Sequence, residues 1–206
     1  DKPVFSNRVV TSLAWKLGGE VNYVLEGNIN YTGAVITWLK DDLELISSPD
    51  ETEQLAKESN PADKSYLVPA FTGLGAPYWD SEATGILTGM TRTTKRKEIV
   101  RAALDCIAYQ ITDVIKAMST ESGIDISELR VDGGPTKNKY LMQFQSDIAH
   151  VTVQVPSSEE LSGIGAAYAA GIAVGIYNKK EVLNKMTRTR FTPQMQPEER
   201  AQKYAG

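Results

Sequence analysis

The sequence predicts an α/β domain built from a β-hairpin and a parallel strand–helix–strand unit, both covered by helices. Residues 8–15 and 20–26 are rich in strand-forming residues, and between them Gly18-Gly19 supply the positive φ of a tight hairpin turn. In the last third of the chain, strands at 129–131 and 151–155 flank a helical segment. Strands connected through a helix in this way run parallel in the same sheet.

Apolar periodicity predicts the remaining elements. The clearest is a helix over 96–119, in which apolar side chains recur every three or four residues and Gly123 follows the end. The other expected helices cover 30–42, 51–58, 137–149, 159–175 and 179–186; a short strand covers 66–70, an apolar run covers 85–90, and the tail after residue 186 is expected to be irregular.

Composition limits the class of protein. The 206 residues are 41% apolar and 23% charged, which is typical of a single globular domain, here residues 1–206. A net charge of -4 without a long run of one sign argues against nucleic-acid binding. One cysteine, Cys106, and one histidine, His150, exclude an internal disulfide and a Cys/His metal site, and so little cysteine fits a reducing, cytoplasmic location. No apolar run reaches the roughly 20 residues that span a bilayer. The first residue is Asp1 and not a methionine, so we expect a fragment or a processed product.

The strongest local signal for a binding site is the turn after the strand at 129–131. Gly133 and Gly134 have no Cβ, so a flat ligand can lie against the backbone, and the helix that follows presents unpaired N–H groups. Asn138, one turn into that helix, offers a donor and an acceptor to a purine edge. The alternative is a plain strand-to-helix turn in which glycine serves only the backbone geometry, and the spacing alone favours it.

Two other glycine-containing segments are candidates. Gly33 lies in the first turn of the helix over 30–42, where backbone N–H groups can meet phosphate oxygens; close packing is the alternative. The small-residue helix that includes residues 163–175 is expected to pack closely on a neighbour through Gly171 and Gly175.

Two further segments are expected to have structural roles. The aromatic side chains of residues 71–80 are expected in the core of a well-packed connection, although a rigid loop beside a cleft is the alternative. A basic cluster is typical of a solvated helix start, and it consists of Arg92, Lys95, Arg96, Lys97 and Arg101.

Four segments together resemble a known family, the FGGY carbohydrate kinases, and within it the glycerol kinases. They occur in the family's order: GEVNYVLEG at 19–27, TGLGAPYWD at 72–80, GILTGMTRTTKRKEIVRAALD at 85–105 and LRVDGGPTKNKYLMQFQSDI at 129–148. The third fits the second FGGY signature in residue types and spacing. The resemblance runs from about Ser12 to Tyr204.

This resemblance implies a ribonuclease-H-like domain of the actin, hexokinase and Hsp70 ATPase type, the second of two in a longer protein. It implies that ATP, with Mg²⁺, lies in the cleft between the domains. Gly134 and Asn138 match the adenine-contact positions, and Gly133 belongs to the same turn. Gly33 matches a glycine near the terminal phosphates, and Thr37 stands where the family has a glutamine.

The family's general-base aspartate, its polyol-binding residues and its Gly-Thr-Gly phosphate loop match nothing in this chain. The resemblance therefore implies no catalytic and no metal-binding residue here, a polyol or sugar bound by the absent N-terminal domain, and a fragment that is inactive alone. The expected activity of the full-length protein is phosphorylation of glycerol to glycerol 3-phosphate. The segment EELSGIGAAYAAG at 159–171 departs from the usual glycerol-kinase pattern. A kinase of another polyol or ketose therefore stays open. A non-catalytic nucleotide-binding module, a purely structural α/β domain and a homo-oligomer are further alternatives.

Overall fold

The computed structural model describes residues 2–17, 19–158, 161–178 and 187–206. The strands are β1 (Val10–Leu17), β2 (Glu20–Glu26), β3 (Tyr66–Val68), β4 (Ile86–Thr88), β5 (Glu128–Arg130), β6 (Thr152–Pro156) and β7 (Arg188–Phe191). The helices are α1 (Gly33–Thr37), α2 (Glu51–Lys57), α3 (Arg96–Ser122), α4 (Lys139–Ala149), α5 (Leu161–Ala173) and α6 (Pro197–Ala205). The helix expected over 179–186 and the first glycine of the hairpin turn, Gly18, lie outside the described residues.

The strand pairing confirms the predicted hairpin and parallel unit. β1 and β2 are antiparallel, with a register shift between Leu13 and Trp15, and β3 and β4 form a second antiparallel pair. β5 and β6 are parallel, and α4 connects them. These elements make the chain an α/β domain. Among the described helices, none is both long and apolar enough to cross a bilayer.

The expectation of an irregular tail is wrong. Residues 188–191 form β7, which pairs antiparallel with β6, and α6 follows it. The strand has only four residues, and two of them are arginines. Its sequence therefore shows no alternation of apolar and polar residues that would predict a strand. Pairing with β6 decides the structure of this segment, and the partner strand lies more than 30 residues earlier in the chain.

Helix α3 is the centre of the core. Its buried residues include Val100, Leu104 and Ile107, and it packs against α2, β3 and α4. The helix ends at Gly123, whose φ of 68° is a left-handed conformation that glycine adopts without strain. The predicted apolar stripe of this helix is therefore confirmed as a core-facing surface.

Arg101 corrects the interpretation of the basic cluster. Its side chain is only 8% exposed, whereas those of Arg96 and Lys97 are 48% and 43% exposed. The Arg101 guanidinium donates to Ser59 Oγ at 3.2 Å and to the carbonyl oxygens of Asn60 and Asp63 at 2.7 Å each. Arg101 is buried because residues 59–63 fold over this side of α3, a long-range contact that the charge pattern does not reveal.

The loop over residues 71–80 also differs from its expected structure. Phe71, Tyr78 and Trp79 are 37%, 58% and 47% exposed, so these aromatic side chains are not core residues. Tyr78 donates a hydrogen bond to Asp113 Oδ2, and the indole of Trp79 donates to the Arg8 carbonyl oxygen. The polar ends of the rings are thus paired while much of each ring stays at the surface.

Helix α5 packs differently from the expectation. Gly171 is buried, but a Cβ there would meet the ring of Tyr177, which follows α5 in the chain. Gly175 has a φ of 76° and open space around it, so it serves a turn after the helix. The close approach at Gly171 is therefore made by a local turn.

Candidate functional site

A cavity of about 310 Å³ lies where α1, the start of α2, α3 and the segment before α4 meet. Four of the five residues predicted for the site line it together: Gly33, Thr37, Gly134 and Asn138. Gly133 is not among the lining residues and lies one position before Gly134. The other lining residues are Ile36, Pro49, Asp50, Thr52, Leu104, Pro135, Lys137 and Leu141.

The lining changes from apolar at the base to polar at the edge. Leu104 and Leu141 are 1% and 2% exposed and form an apolar floor. Exposed polar residues, among them Thr37, Asp50 and Lys137, lie at the opening. An apolar floor with a few polar groups around it suits a flat heterocycle that carries polar substituents.

The glycines of the site differ in whether the fold requires a glycine at their positions. Gly133 has a φ of 92°, a conformation that favours glycine, so backbone geometry explains this residue. Gly33 and Gly134 have no such φ, and a Cβ on either would meet no atom within 4 Å. Neither the backbone nor packing within the chain requires glycine at 33 or 134. The plain-turn alternative therefore accounts for Gly133 but leaves Gly134 unexplained.

Asn138 is the N-cap of α4, which corrects its predicted place one turn into the helix. A short 3-10 turn, Gly134–Lys137, precedes it, and α4 begins at Lys139. The Asn138 Oδ1 accepts a hydrogen bond from the Leu141 N–H at 2.9 Å, as N-cap side chains do. Its Nδ2 donates to Thr52 Oγ1 at 3.0 Å. Asn138 therefore has both a structural role and a place in the cavity.

Two N–H groups at the start of α4 are paired within the chain, where the sequence predicts unpaired groups. The Lys139 N–H donates to Glu53 Oε2 at 2.8 Å, and Asn138 accepts from Leu141. The hydrogen bond from Lys57 and that from the Lys139 N–H lower the pKa of Glu53, which keeps its carboxylate charged. This helix terminus is already occupied by an anion from α2, because α2 packs beside it.

Gly33 and Thr37 lie one helical turn apart on α1 and border the cavity together. Gly33 is the first residue of the helix, and the Val35 N–H donates to the Thr32 carbonyl oxygen at 3.1 Å. The family resemblance selected both residues, and the structure brings both of them to this cavity.

Sequence reasoning missed the contribution of α2 and the residues before it. Pro49, Asp50 and Thr52 line the cavity, and Thr52 donates to the Pro49 carbonyl oxygen at 2.6 Å. These residues belong to a polar, turn-rich segment without periodicity. Thr52 and Asn138 are 86 positions apart, so no local pattern could have joined them.

The donor set of the site does not fit a protein-held metal ion. Of the described lining residues, Asp50 alone carries a carboxylate. In the parts of the chain that the structure describes, no group of three or more His, Cys, Asp or Glu residues could hold a metal. A Mg²⁺ ion is therefore not coordinated by a carboxylate cluster of these residues.

Comparisons with known proteins identify the family of the chain. Residues 2–174 match the FGGY family of carbohydrate kinases, C-terminal domain. The whole chain is similar to glycerol kinases of Lactobacillus delbrueckii subsp. bulgaricus and Staphylococcus haemolyticus, at 45% and 46% identity, and covers 42% of each. The solved structure of Plasmodium falciparum glycerol kinase with ADP matches 99% of this chain and 42% of that one, with 34% identity and a TM-score of 0.90.

The fold is shared more widely than the sequence. Gluconate kinase from Lactobacillus acidophilus matches 99% of this chain and 41% of its own, at 22% identity and a TM-score of 0.79. The fold and these matches define a ribonuclease-H-like domain of the kind found in carbohydrate kinases. The chain belongs to the FGGY family of carbohydrate kinases and corresponds to the C-terminal domain of these proteins. It spans 42% of the length of the glycerol kinases that it matches.

Proposed function

We propose that this chain forms the adenosine side of the nucleotide site in an ATP-dependent kinase that phosphorylates glycerol to glycerol 3-phosphate. The observation that carries the proposal is the convergence of Gly33, Thr37, Gly134 and Asn138 on one apolar-floored cavity, with open space beside both glycines. The relatives named glycerol kinase, one of them solved with ADP, support the same function.

In this proposal each site residue has a defined task. The missing Cβ of Gly134 lets the adenine ring approach the backbone, and Gly133 shapes the turn that brings Gly134 to the cavity. Asn138 contacts the edge of the base through the amide hydrogen and lone pair that its capping bonds leave. Gly33 and Thr37 face the phosphates, where the Thr37 hydroxyl is a shorter donor than the glutamine of relatives.

The rest of the reaction is assigned to a longer protein in which residues 1–206 are the C-terminal domain. Phosphoryl transfer depends on positioning and on charge neutralisation, and Mg²⁺ bound to the ATP phosphates supplies part of that charge. We place the general base and the acceptor pocket in an N-terminal domain. The one cysteine agrees with a cytoplasmic protein, and self-association is compatible with this arrangement.

A kinase of another polyol or ketose is the second candidate. The sequence of residues 159–171, which departs from the usual glycerol-kinase pattern, favours it. A panel of glycerol, other polyols and ketoses, tested with the full-length protein, distinguishes the two because the proposal requires the highest kcat/KM for glycerol.

Gly134→Ala tests the nucleotide site directly. The added methyl group meets open space within the chain but occupies the place of the base, so we expect ADP affinity to fall about tenfold or more. The free energy of unfolding should change by less than about 0.5 kcal/mol. Isothermal titration of ADP against the full-length protein measures the first effect, and thermal unfolding measures the second.

Gly123→Ala is the matched control for this substitution. Gly123 has a φ of 68° and lies at the end of α3 outside the cavity lining, so alanine there should cost about 1 kcal/mol of stability and leave ADP affinity unchanged. Unchanged ADP affinity in the Gly134→Ala protein would contradict the assigned role of Gly134. Absence of ADP binding by the unsubstituted protein would exclude the proposed function, including the non-catalytic nucleotide-binding alternative.

A further inference from the structure

Thr52 lies between the two sides of the cavity. It is 2% exposed and belongs to the first turn of α2. Its hydroxyl donates to the carbonyl oxygen of Pro49, and its oxygen accepts from Nδ2 of Asn138; both partners are lining residues of the cavity. A single buried hydroxyl therefore connects two residues of the cavity lining.

The direction of these bonds determines how the Asn138 amide is oriented. The Thr52 hydroxyl has one hydrogen, and at 2.6 Å from the Pro49 oxygen that hydrogen is already used. Only lone pairs of Thr52 face Asn138, so the NH₂ end of the amide must lie on this side. At the other end, the Leu141 N–H requires the carbonyl oxygen. A flipped amide would place acceptor against acceptor and donor against donor.

We propose that Thr52 is a positioning residue that holds Asn138 in one amide orientation and thereby makes the cavity selective for a 6-aminopurine nucleotide over a 6-oxopurine nucleotide. This inference rests on the nucleotide site proposed above. Adenine presents a donor at the 6-amino group and an acceptor at N1, whereas hypoxanthine presents an acceptor at O6 and a donor at N1. An amide that turns over freely can match both bases, whereas an amide held in one orientation matches only one.

The test compares ADP with inosine diphosphate in the full-length kinase. Thr52→Val replaces the hydroxyl with a methyl group of similar shape, and Thr52→Ser keeps the hydroxyl. We expect the unsubstituted protein to prefer ADP, and the ratio of the two dissociation constants to fall about twofold to fivefold in the valine variant, because the Leu141 N–H still favours the same amide orientation. The serine variant should retain the ratio.

A change of fold is separated from a change of selectivity by two further measurements. Thr52→Ala removes the hydroxyl without a branched side chain, and it should lower the ADP preference as valine does. In an Asn138→Ala background, Thr52→Val should have no further effect on the ratio, since the group it positions is absent. A ratio that is equal in the threonine, valine and alanine proteins, while ADP still binds, would overturn the inference. If the unsubstituted protein bound neither nucleotide, the proposed function itself would fail, which is a distinct result.

Discussion

Asp105 is a buried carboxyl at the interface of α3 and α4, next in sequence to the cavity-lining Leu104. Tyr140 donates a hydrogen bond to its Oδ1 at 2.8 Å, and the Nε of Arg101 lies 3.8 Å from its Oδ2. Burial away from water raises the pKa of Asp105 from 3.8 to about 7, against the opposing effects of Tyr140 and Arg101. Arg101 compensates Asp105 only in part, because its shortest bonds go to Asn60 and Asp63.

This raised pKa predicts a pH-dependent stability. A group whose pKa is higher in the folded protein favours folding below its unfolded value and loses that contribution as the pH rises toward the folded value. Between pH 5 and 7 the free energy of unfolding should therefore fall by on the order of 1 kcal/mol per pH unit from this residue. Asp105→Asn keeps an acceptor for Tyr140 but cannot ionise, so its stability should exceed that of the unsubstituted protein increasingly toward pH 8. Urea unfolding at pH 5 and 8 measures the difference, and parallel pH profiles would contradict it.

At the scale of elements, Glu98 connects the start of α3 to the loop that contains Asn60. It is 5% exposed and accepts hydrogen bonds from the N–H groups of Lys95 and Asn60, each at 2.8 Å. Burial alone would raise the pKa of Glu98, but these two N–H groups outweigh burial and lower it. The carboxylate thus satisfies donors from two parts of the chain, and its contribution to stability is lost as the pH falls through its pKa.

Glu98→Ala should destabilise the protein by about 1–3 kcal/mol, since two N–H groups lose their acceptor in a buried place. The melting temperature should fall by about 2–4 °C for each of these kcal/mol. Glu58→Ala is the control, because the Glu58 carboxylate is 44% exposed and its pair with Lys97 contributes less than about 1 kcal/mol. Equal melting temperatures for the two variants would show that Glu98 does not organise this end of α3.

At the scale of the whole molecule, the proposed function assigns binding and orientation of the nucleotide to the described site, whose lining contains no matched general base. We therefore expect the isolated 206-residue chain to transfer no phosphate from ATP to glycerol, in a coupled assay that detects ADP. The full-length protein in the same assay is the positive control. Turnover by the purified chain, at a level above that of the Gly134→Ala version of the chain, would show that the chemistry does not need another domain.

Most of the fold followed from the sequence wherever the deciding interactions are local. The hairpin depends on two adjacent strands and a glycine turn, and α3 on an apolar stripe that ends at Gly123. β7 was missed because its structure depends on pairing with β6, and Arg101 was misassigned because residues 59–63 cover it. In both cases a contact between distant segments outweighs local composition.

At the candidate site, too, residue identity could be predicted from the sequence, whereas contacts between distant segments could not. Sequence and family resemblance selected Gly33, Thr37, Gly133, Gly134 and Asn138, and the structure brings four of them to one cavity. Whether they bind a nucleotide stays a prediction. The sequence by itself determined the glycines, the asparagine and the family, because these depend on residue identity and order along the chain.

Only the tertiary structure decided what those residues are bonded to. It made Asn138 an N-cap, placed the Glu53 carboxylate at the start of α4 and joined Thr52 to Asn138 across 86 positions. The physical reason for the Asn138 bonds is that they are partly buried, so each donor there needs an acceptor wherever the fold brings one. Such partners are set by the packing of α2 against α4, which periodicity within either helix does not encode.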